Sequence, residues 1–558
     1  MEFELDAEPD DLTVLAGLKS LAALREGRAR AQSVRVVWHD SPDHILLNLG
    51  LTLAERRGDW RVERVVPSAA TWLPGQPPAV IEQAEERASL TAALPSPLAP
   101  VAAFVGRRSI SGYRFPLTPD TTVPTTAASL AAAIQPAAAQ MTSAQVTLAA
   151  ERGVLRSVTA ERPIARILLT GDELAVRSAA LIIAAAVPVS VPRASLAARA
   201  IAMAAGATPE PRHLGAPVLP DADLSVTDAL AHILGHLTDV ILYCAPTAAQ
   251  PVAKAPGRRP QAHDVAAGDA PTAHTLEKSQ MEAVHQMRVA VRRALSAVSI
   301  FRDVLSEGTL DPVHAGLKAL GARLAQTRDW DVFVAETAPL ITEALPPDER
   351  LERLITAARR RRRECRKELS EYLTSPAFRA LTIELAWFAA AAFWRSRDAL
   401  SPGDPSRDGS DDPPAGGPDE QPTGPLPVRD FAPRVLQQRW KKLISSGKKM
   451  PELDIPALHG VRLRAKRARY AAEMFAVPHE GKAAQRFIRR LSVLQQRLGV
   501  LNDGAVATQL LQELGGPSGR HAYAVGVVVG FIASRAGRIR PRIVRAFERF
   551  RRQPAYWT

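Results

Sequence analysis

The chain has 558 residues, 46% of them hydrophobic, with 71 Lys or Arg against 58 Asp or Glu, a net charge of +13 and a pI near 10.1. Such a length exceeds one ordinary core, so two or three domains are expected. So basic a balance favours polyanionic partners: nucleic acid, polyphosphate or an anionic membrane surface. Two cysteines without CxxC spacing, Cys244 and Cys365, argue against a disulfide framework or a zinc site and fit a reducing cytoplasm. The acidic start MEFELDAEPDD is unlike a secretory signal, and the apolar runs LAWFAAAAFW and YAVGVVVGFIAS fall short of a bilayer. A soluble cytoplasmic protein with no transmembrane segment is expected.

Residues 1–210 carry short alternating segments: FELD, VRVVWHD, LGLTLAERR, WRVERVV, AAFVGRRSISGYRF, QVTLAAERGVL and ARILLTG. Turn signals such as SPD and RGD separate them, which predicts an antiparallel β domain with some helix. The Ala-rich stretch 178–206 reads as helical. From about 224 onward apolar residues recur at helical spacing, as in SVTDALAHILGHL with Ala229, Ile233 and Leu237. Two breaks interrupt the pattern, at 246–273 and at 401–428. The second contains SPGDPSRDGSDDPPAGGPDEQPTGP, which lacks the apolar residues to order itself and is expected to be a disordered linker between helical segments 224–400 and 429–552.

Those two helical segments are related. VHQMRVAVRRALSAVSIF at 284–301 lines up with LHGVRLRAKRARYAAEMF at 458–475, pairing His285 with His459 (459 − 285 = 174), Arg288 with Arg462, Arg292 with Lys466 and Arg293 with Arg467. The same offset brings LGARLAQTRDWDVF onto LQQRLGVLNDGAVA, with Arg323 on Arg497 and Asp329 on Asp503 (503 − 329 = 174). An offset held over two separated segments implies a duplicated bundle. At about 100° per residue, Met287, Val291, Ala294, Val298 and Phe301 share one helix face, and His285, Arg288 and Arg292 form a stripe beside it. In the second copy Val461, Ala465, Ala468, Ala472 and Phe475 make the apolar face, and His459, Arg462, Lys466 and Arg469 make the cationic stripe.

A basic stripe is ordinarily a solvated face, and a lone histidine is ordinarily structural. Solvation alone, however, gives no reason for a histidine at the same point of both copies. Arginine offers a fork of donors matched to phosphate oxygens, and an adjoining anion favours protonated histidine. Two facing stripes would line a basic groove. Further basic residues thicken the field: Arg359 and Arg363 in ARRRRRECRK, Lys441 and Lys442 in RWKK, Arg489 in RFIRR, Arg323 and Arg497, and the tail RAGRIRPRIVRAFERFRR at 535–552. Asp329 and Asp503 are expected to orient basic side chains or cap helices.

These segments resemble the CHAD domain, the conserved histidine α-helical domain, over about 224–552. The resemblance implies a two-halved helical bundle that binds inorganic polyphosphate on a basic central surface, some members residing on polyphosphate granules. It implicates His285, Arg288, Arg292 and Arg293, and His459, Arg462, Lys466 and Arg467. Residues 1–210 resemble a CYTH domain, the triphosphate tunnel fold, whose first strand carries Glu-x-Glu-x-Lys for a divalent metal and a triphosphate. Here EFELD keeps Glu2 and Glu4 but has Asp6 for the lysine; Thr52 and Ala54 stand where arginines are usual. Ala165, Ile167 and Leu169 replace a second Glu-x-Glu-x-Lys, and Leu196 replaces a further lysine. A metal–triphosphate site needs several carboxylates and several cations, which two glutamates and Arg108 do not reproduce. The expected fold class is α+β multidomain: an antiparallel β-barrel-like CYTH-type domain followed by an all-α duplicated bundle. The expected function is polyphosphate binding without catalysis, for granule targeting or regulation. Glu2 and Glu4 remain the weak metal candidates. The rivals are a Mg²⁺- or Mn²⁺-dependent triphosphate or polyphosphate hydrolase in the N-terminal domain, and a nucleic-acid binder, which the 5% aromatic content disfavours.

Overall fold

The computed structural model describes residues 1–65, 75, 80–85, 90, 97–116, 143–206, 214–250, 273–305, 308–391, 426–476, 481–515 and 518–557. Every alternating segment of the N-terminal region is a strand or part of one: β1 (Glu2–Ala7), β2 (Arg25–Asp40), β3 (Leu51–Arg56), β4 (Asp59–Arg64), β5 (Val80–Ala84), β6 (Ala99–Pro116), β7 (Ser143–Ser157) and β8 (Glu161–Gly171). They form one antiparallel sheet in the order β1-β8-β7-β6-β2-β3-β4-β5. The outer edge of β1 instead bonds to residues outside the strands: the Glu4 N–H donates to the Gly75 carbonyl at 2.8 Å, and Asp6 and Ser190 exchange backbone bonds of 2.8 and 3.0 Å. Among the described residues the sheet is thus barrel-like without a β1–β5 ladder.

The period-2 alternation of the strands decides what each face meets. Phe3, Leu5, Ile167 and Leu169 pack in the core with Ala175, Val176 and Ala179 of helix α1 (Glu173–Ala186). On the other face Val34, Val36, Trp38 and Phe104 pack against Leu196, Ala197, Ala200 and Ile201 of helix α2 (Leu196–Ala204). Both helices are capped from their N-termini, by Asp172 and Ser195.

From 226 onward the described residues are mainly helical: α3 (Val226–Ala249), α4 (Ala273–Phe301), α5 (Asp311–Val332), α6 (Glu349–Leu373), α7 (Pro376–Ala390), α8 (Val428–Ser446), α9 (Ile455–Met474), α10 (Lys482–Glu513) and α11 (Ala522–Arg551). A π-helical turn, Phe333–Thr337, follows α5. The segment expected to be a linker lies outside the described residues up to 425. Its end is ordered, with Leu426 and Val428 exchanging backbone bonds with Val226 and Leu224.

The duplication is visible as geometry. The apolar face read in each copy is buried: Met287, Val291, Ala294 and Phe301 in α4 and the segment's Val461, Ala465, Ala472 and Phe475 in or just after α9 are each 0% exposed. Phe301 and Phe475, equivalent at the 174 offset, touch each other with ring centroids 6.1 Å apart. Contact between equivalent residues is what a local two-fold axis produces. The offset also carries the start of α6 onto α11 (349 + 174 = 523).

Two helices, α3 and α11, are long and apolar enough to cross a bilayer by length and composition. This differs from the reading of apolar runs alone, because an 18-residue window tolerates a few charges. In α3, 72% of that window is buried inside the protein, the mark of a core helix; in α11 the figure is 18%.

Candidate functional site

The cationic stripes of α4 and α9 meet over a cleft of about 250 Å³ lined by residues of both helical halves. The apolar faces of the two helices are locked in the core, which turns part of each stripe toward the space between them. His285, Arg288 and Arg292 come from α4, and Arg462 and Lys466 from α9. The ends of α5 and α10 supply Arg328, Asp329, Asp503, Val506, Ala507 and Leu510. The π turn adds Phe333, Glu336 and Thr337. One wall is therefore cationic and another apolar, an environment that weakens water screening of the charges.

The two conserved-offset aspartates orient arginines, as expected. Arg288 donates to Asp329 at 2.7 Å, and its counterpart Arg462 lies 3.9 Å from Asp503. Arg328 pairs with Glu336 at 3.1 Å. Arg292 and Lys466 make no ion pair among the described residues, and the buried Nε of Arg462 meets no acceptor there. Arg288, Arg292, Arg328, Arg462 and Lys466 thus outnumber Asp329, Glu336 and Asp503.

This crowding has a consequence for protonation. Burial, then Arg292, Arg462 and Arg288, push the Lys466 ammonium down to about 6. Burial, then Arg328, also lowers His285 below the ordinary imidazole value. Burial lowers Arg292 and Arg462 as well, though neither loses its charge in practice. The cleft is an electrostatically loaded site in which Lys466 and His285 are both biased toward their neutral forms.

Other residues singled out from the sequence fall elsewhere. Arg293 and Arg469 both pair with Glu473, at 3.1 and 3.3 Å, and knit α4 to α9 beside the cleft. His459 and Arg467 are exposed and do not line the cleft, so the repeat equates residues that the structure places differently. Arg359, Arg363, Lys441, Lys442 and Arg489 are exposed, Arg323 lies over the Tyr372 ring at 4.7 Å, and Arg497 donates to the Arg542 carbonyl at 2.8 Å; none lines the cleft. The sequence reading missed Arg328, although it sits next to Asp329. It also missed Glu336, Thr337 and Phe333, because a π turn leaves no periodic signal.

In the N-terminal sheet, register sets Asp6, Arg166, Glu151 and Arg108 in one row across β1, β8, β7 and β6. Arg166 donates to Glu151 at 2.7 Å and to Glu4 at 3.2 Å, and Arg108 pairs with Glu151. Arg199 of α2 reaches Glu4 at 3.3 Å and Asp6 at 3.0 Å. Glu4 is buried, not on an exposed strand face, while Glu2 is exposed. Glu4, Asp6 and Glu151 are thus bound to arginines, and among the described residues no group of three His, Cys, Asp or Glu is arranged for a metal. Thr52 and Ala54 are both fully buried.

The chain is similar to a crystal structure of the CHAD domain from the plant Ricinus communis, at 24% identity, 62% of this chain, 99% of that one and a TM-score of 0.46. It is also similar to PptA from Streptomyces chartreusis, at 15% identity, 58% of this chain, 100% of that one and a TM-score of 0.39. No curated protein matches. The CHAD domain family matches residues 263–512, a narrower span than the sequence resemblance suggested. Residues 263–512 of this chain are a CHAD domain, preceded by an eight-stranded antiparallel sheet.

Proposed function

We propose that the protein binds inorganic polyphosphate in the cleft between its two helical halves, without turning it over. The observation that carries this reading is the cation excess of one cleft: Arg288, Arg292, Arg328, Arg462 and Lys466, drawn from both halves, face only Asp329, Glu336 and Asp503, and Arg292 and Lys466 have no ion pair among the described residues. A linear polyanion has oxygens spaced along its length and needs several cations at once, which a two-sided basic cleft supplies. The few carboxylates serve to aim Arg288, Arg328 and Arg462 rather than to cancel them. The family to which the domain belongs is linked to the same ligand. The reading carries with it a cytoplasmic place on polyphosphate granules and a scaffold role for the N-terminal sheet, whose interior acids are already neutralised by Arg108, Arg166 and Arg199.

The test is a titration with long-chain polyphosphate beside single-stranded DNA of matched charge, repeated at rising salt. Tight, steeply salt-dependent polyphosphate binding with weak DNA binding supports the reading. Equal binding to both would make the cleft a general polyanion site, and Mg²⁺-dependent phosphate release would overturn the claim of no turnover.

A further inference from the structure

Helix α11 (Ala522–Arg551) carries two features that the cleft does not use. Its buried face, formed by Val525, Val528, Ile543, Phe547 and Phe550, fixes it to the bundle. At about 100° per residue, one outward sector contains Tyr523, Val527 and Phe531, then Arg535, Arg538, Arg542, Arg545 and Arg549. The five arginines are all exposed and extend over roughly 21 Å of helix. No Asp or Glu occurs between Glu513 and Glu548, and Glu548 itself pairs with Arg551 at 2.8 Å. Among the described residues none of the five arginines makes an ion pair, in contrast to the cleft arginines Arg288 and Arg328. From α10, Arg490 and Arg497 donate to the carbonyls of Arg549 and Arg542, setting two more guanidinium groups beside the ridge.

The other half of the sector is apolar. Tyr523 is 53% exposed with the Arg350 guanidinium 3.5 Å from its ring centroid, Val527 is half-buried, and the half-buried Phe531 also packs against the core cluster that includes Val525 and Val528. A helix with this apolar content is normally covered, as α3 is; here only 18% of the apolar window is buried. Arg535 lies 5.7 Å from the Phe531 ring, where the apolar half gives way to the basic one. A polyphosphate chain or a nucleic-acid backbone would use the ridge but would leave the apolar half exposed. The ridge also presents no run of aromatic rings on which bases could stack. An anionic bilayer uses both halves. Tyrosine and aliphatic side chains settle at the boundary between headgroups and acyl chains, and arginine forks take lipid phosphates.

We propose that α11 is a docking surface for an anionic lipid bilayer, with Tyr523 and Val527 entering the headgroup boundary and Arg535, Arg538, Arg542, Arg545 and Arg549 holding lipid phosphates. The helix lies on the membrane and does not span it, because its opposite face is committed to the bundle.

The test is co-sedimentation of the full chain with vesicles of phosphatidylcholine alone and of phosphatidylcholine mixed with an equal part of phosphatidylglycerol. Binding is expected only to the anionic vesicles. An Arg535→Gln/Arg542→Gln/Arg549→Gln variant should lose roughly a hundredfold in affinity. Val527→Asp should also weaken binding with the ridge intact, and an Arg292→Ala/Lys466→Ala cleft variant should bind vesicles as the wild type does. Thermal melts matched to the wild type show that each variant is folded. Equal binding to neutral vesicles, or undiminished binding by the arginine variant, would overturn the proposal. So would a wild type that ignores anionic vesicles while its ridge variant loses nucleic acid or polyphosphate, which would reassign the ridge to a soluble polyanion.

Discussion

Lys466 stands within reach of Arg292, Arg462 and Arg288, and burial adds to their repulsion in driving its proton off near pH 6. A bound polyanion places negative charge beside the ammonium, which offsets both influences and raises the lysine back toward its ordinary value. The sign follows: a group whose pKa is higher in the complex than in the free protein contributes fully to binding below the free value. That contribution is lost as pH rises toward the bound value. Polyphosphate affinity is therefore expected to fall between pH 6 and 8, by up to about tenfold per unit for each proton taken up. His285, lowered by burial and by Arg328, adds to the slope at its acid end. Titrations across that range with Lys466→Met should show a flatter profile, and a slope unchanged from wild type would remove Lys466 from the account. The same variant should unfold at a higher temperature, by about 1 kcal/mol of added stability, since it removes an amine that folding buries among cations and strips of its proton. At this scale the sequence disclosed Arg288, Arg292, Arg462 and Lys466 because their spacing is helical and the apolar face beside them was unambiguous. It misjudged His459, since a matching position in a repeat fixes backbone placement but not whether a neighbouring element closes over the side chain.

Between elements, the α4–α9 contact sets the width of the cleft. It rests on the Phe301–Phe475 contact and on Glu473, which receives Arg293 from one helix and Arg469 from its own. Glu473→Gln removes the charge between two largely buried guanidinium groups. It should cost about 1–3 kcal/mol in denaturant unfolding and weaken polyphosphate binding indirectly. A double-mutant cycle with Arg293→Met should recover part of the loss; strict additivity would show that the pair does not couple. Strand and helix positions were legible because alternation and 3.6-residue periodicity are local properties. The π turn at Phe333–Thr337 was not, and it is this turn that brings Glu336 and Thr337 into the cleft. The interior ion network of the sheet was equally hidden: Arg166 sits among Ala165, Ile167 and Leu169 in sequence. Only the register of β8 against β1 and β7 shows that it meets Glu4 and Glu151.

For the whole molecule, the sheet region and the bundle share one hydrophobic core that runs from Phe3 and Leu5 through α1 and α3 to α4 and α9. The seam is fixed by Arg177, which grips Glu384 with two bonds of 2.6 and 2.7 Å and lies 5.1 Å from the Trp387 ring. Both members of the pair are nearly excluded from water. Arg177→Met would strand the Glu384 carboxylate and should cost about 3–5 kcal/mol. Calorimetry of the wild type should show one cooperative transition; a second transition in the wild type would mean that the sheet and bundle fold separately. The sequence divided the chain at a composition change near 210–224, but a buried pair 207 positions apart in sequence leaves no local trace.

The most direct measurement is the polyphosphate titration of three proteins in parallel: wild type, Arg288→Ala/Arg292→Ala/Arg462→Ala/Lys466→Ala, and Arg535→Gln/Arg542→Gln/Arg549→Gln. If the cleft is the site, the first variant loses binding by roughly a thousandfold or more, at about 1–2 kcal/mol for each of its four cations, while the second binds nearly as the wild type does. Undiminished binding by the cleft variant would contradict the account and return the stripes of α4 and α9 to ordinary solvated faces.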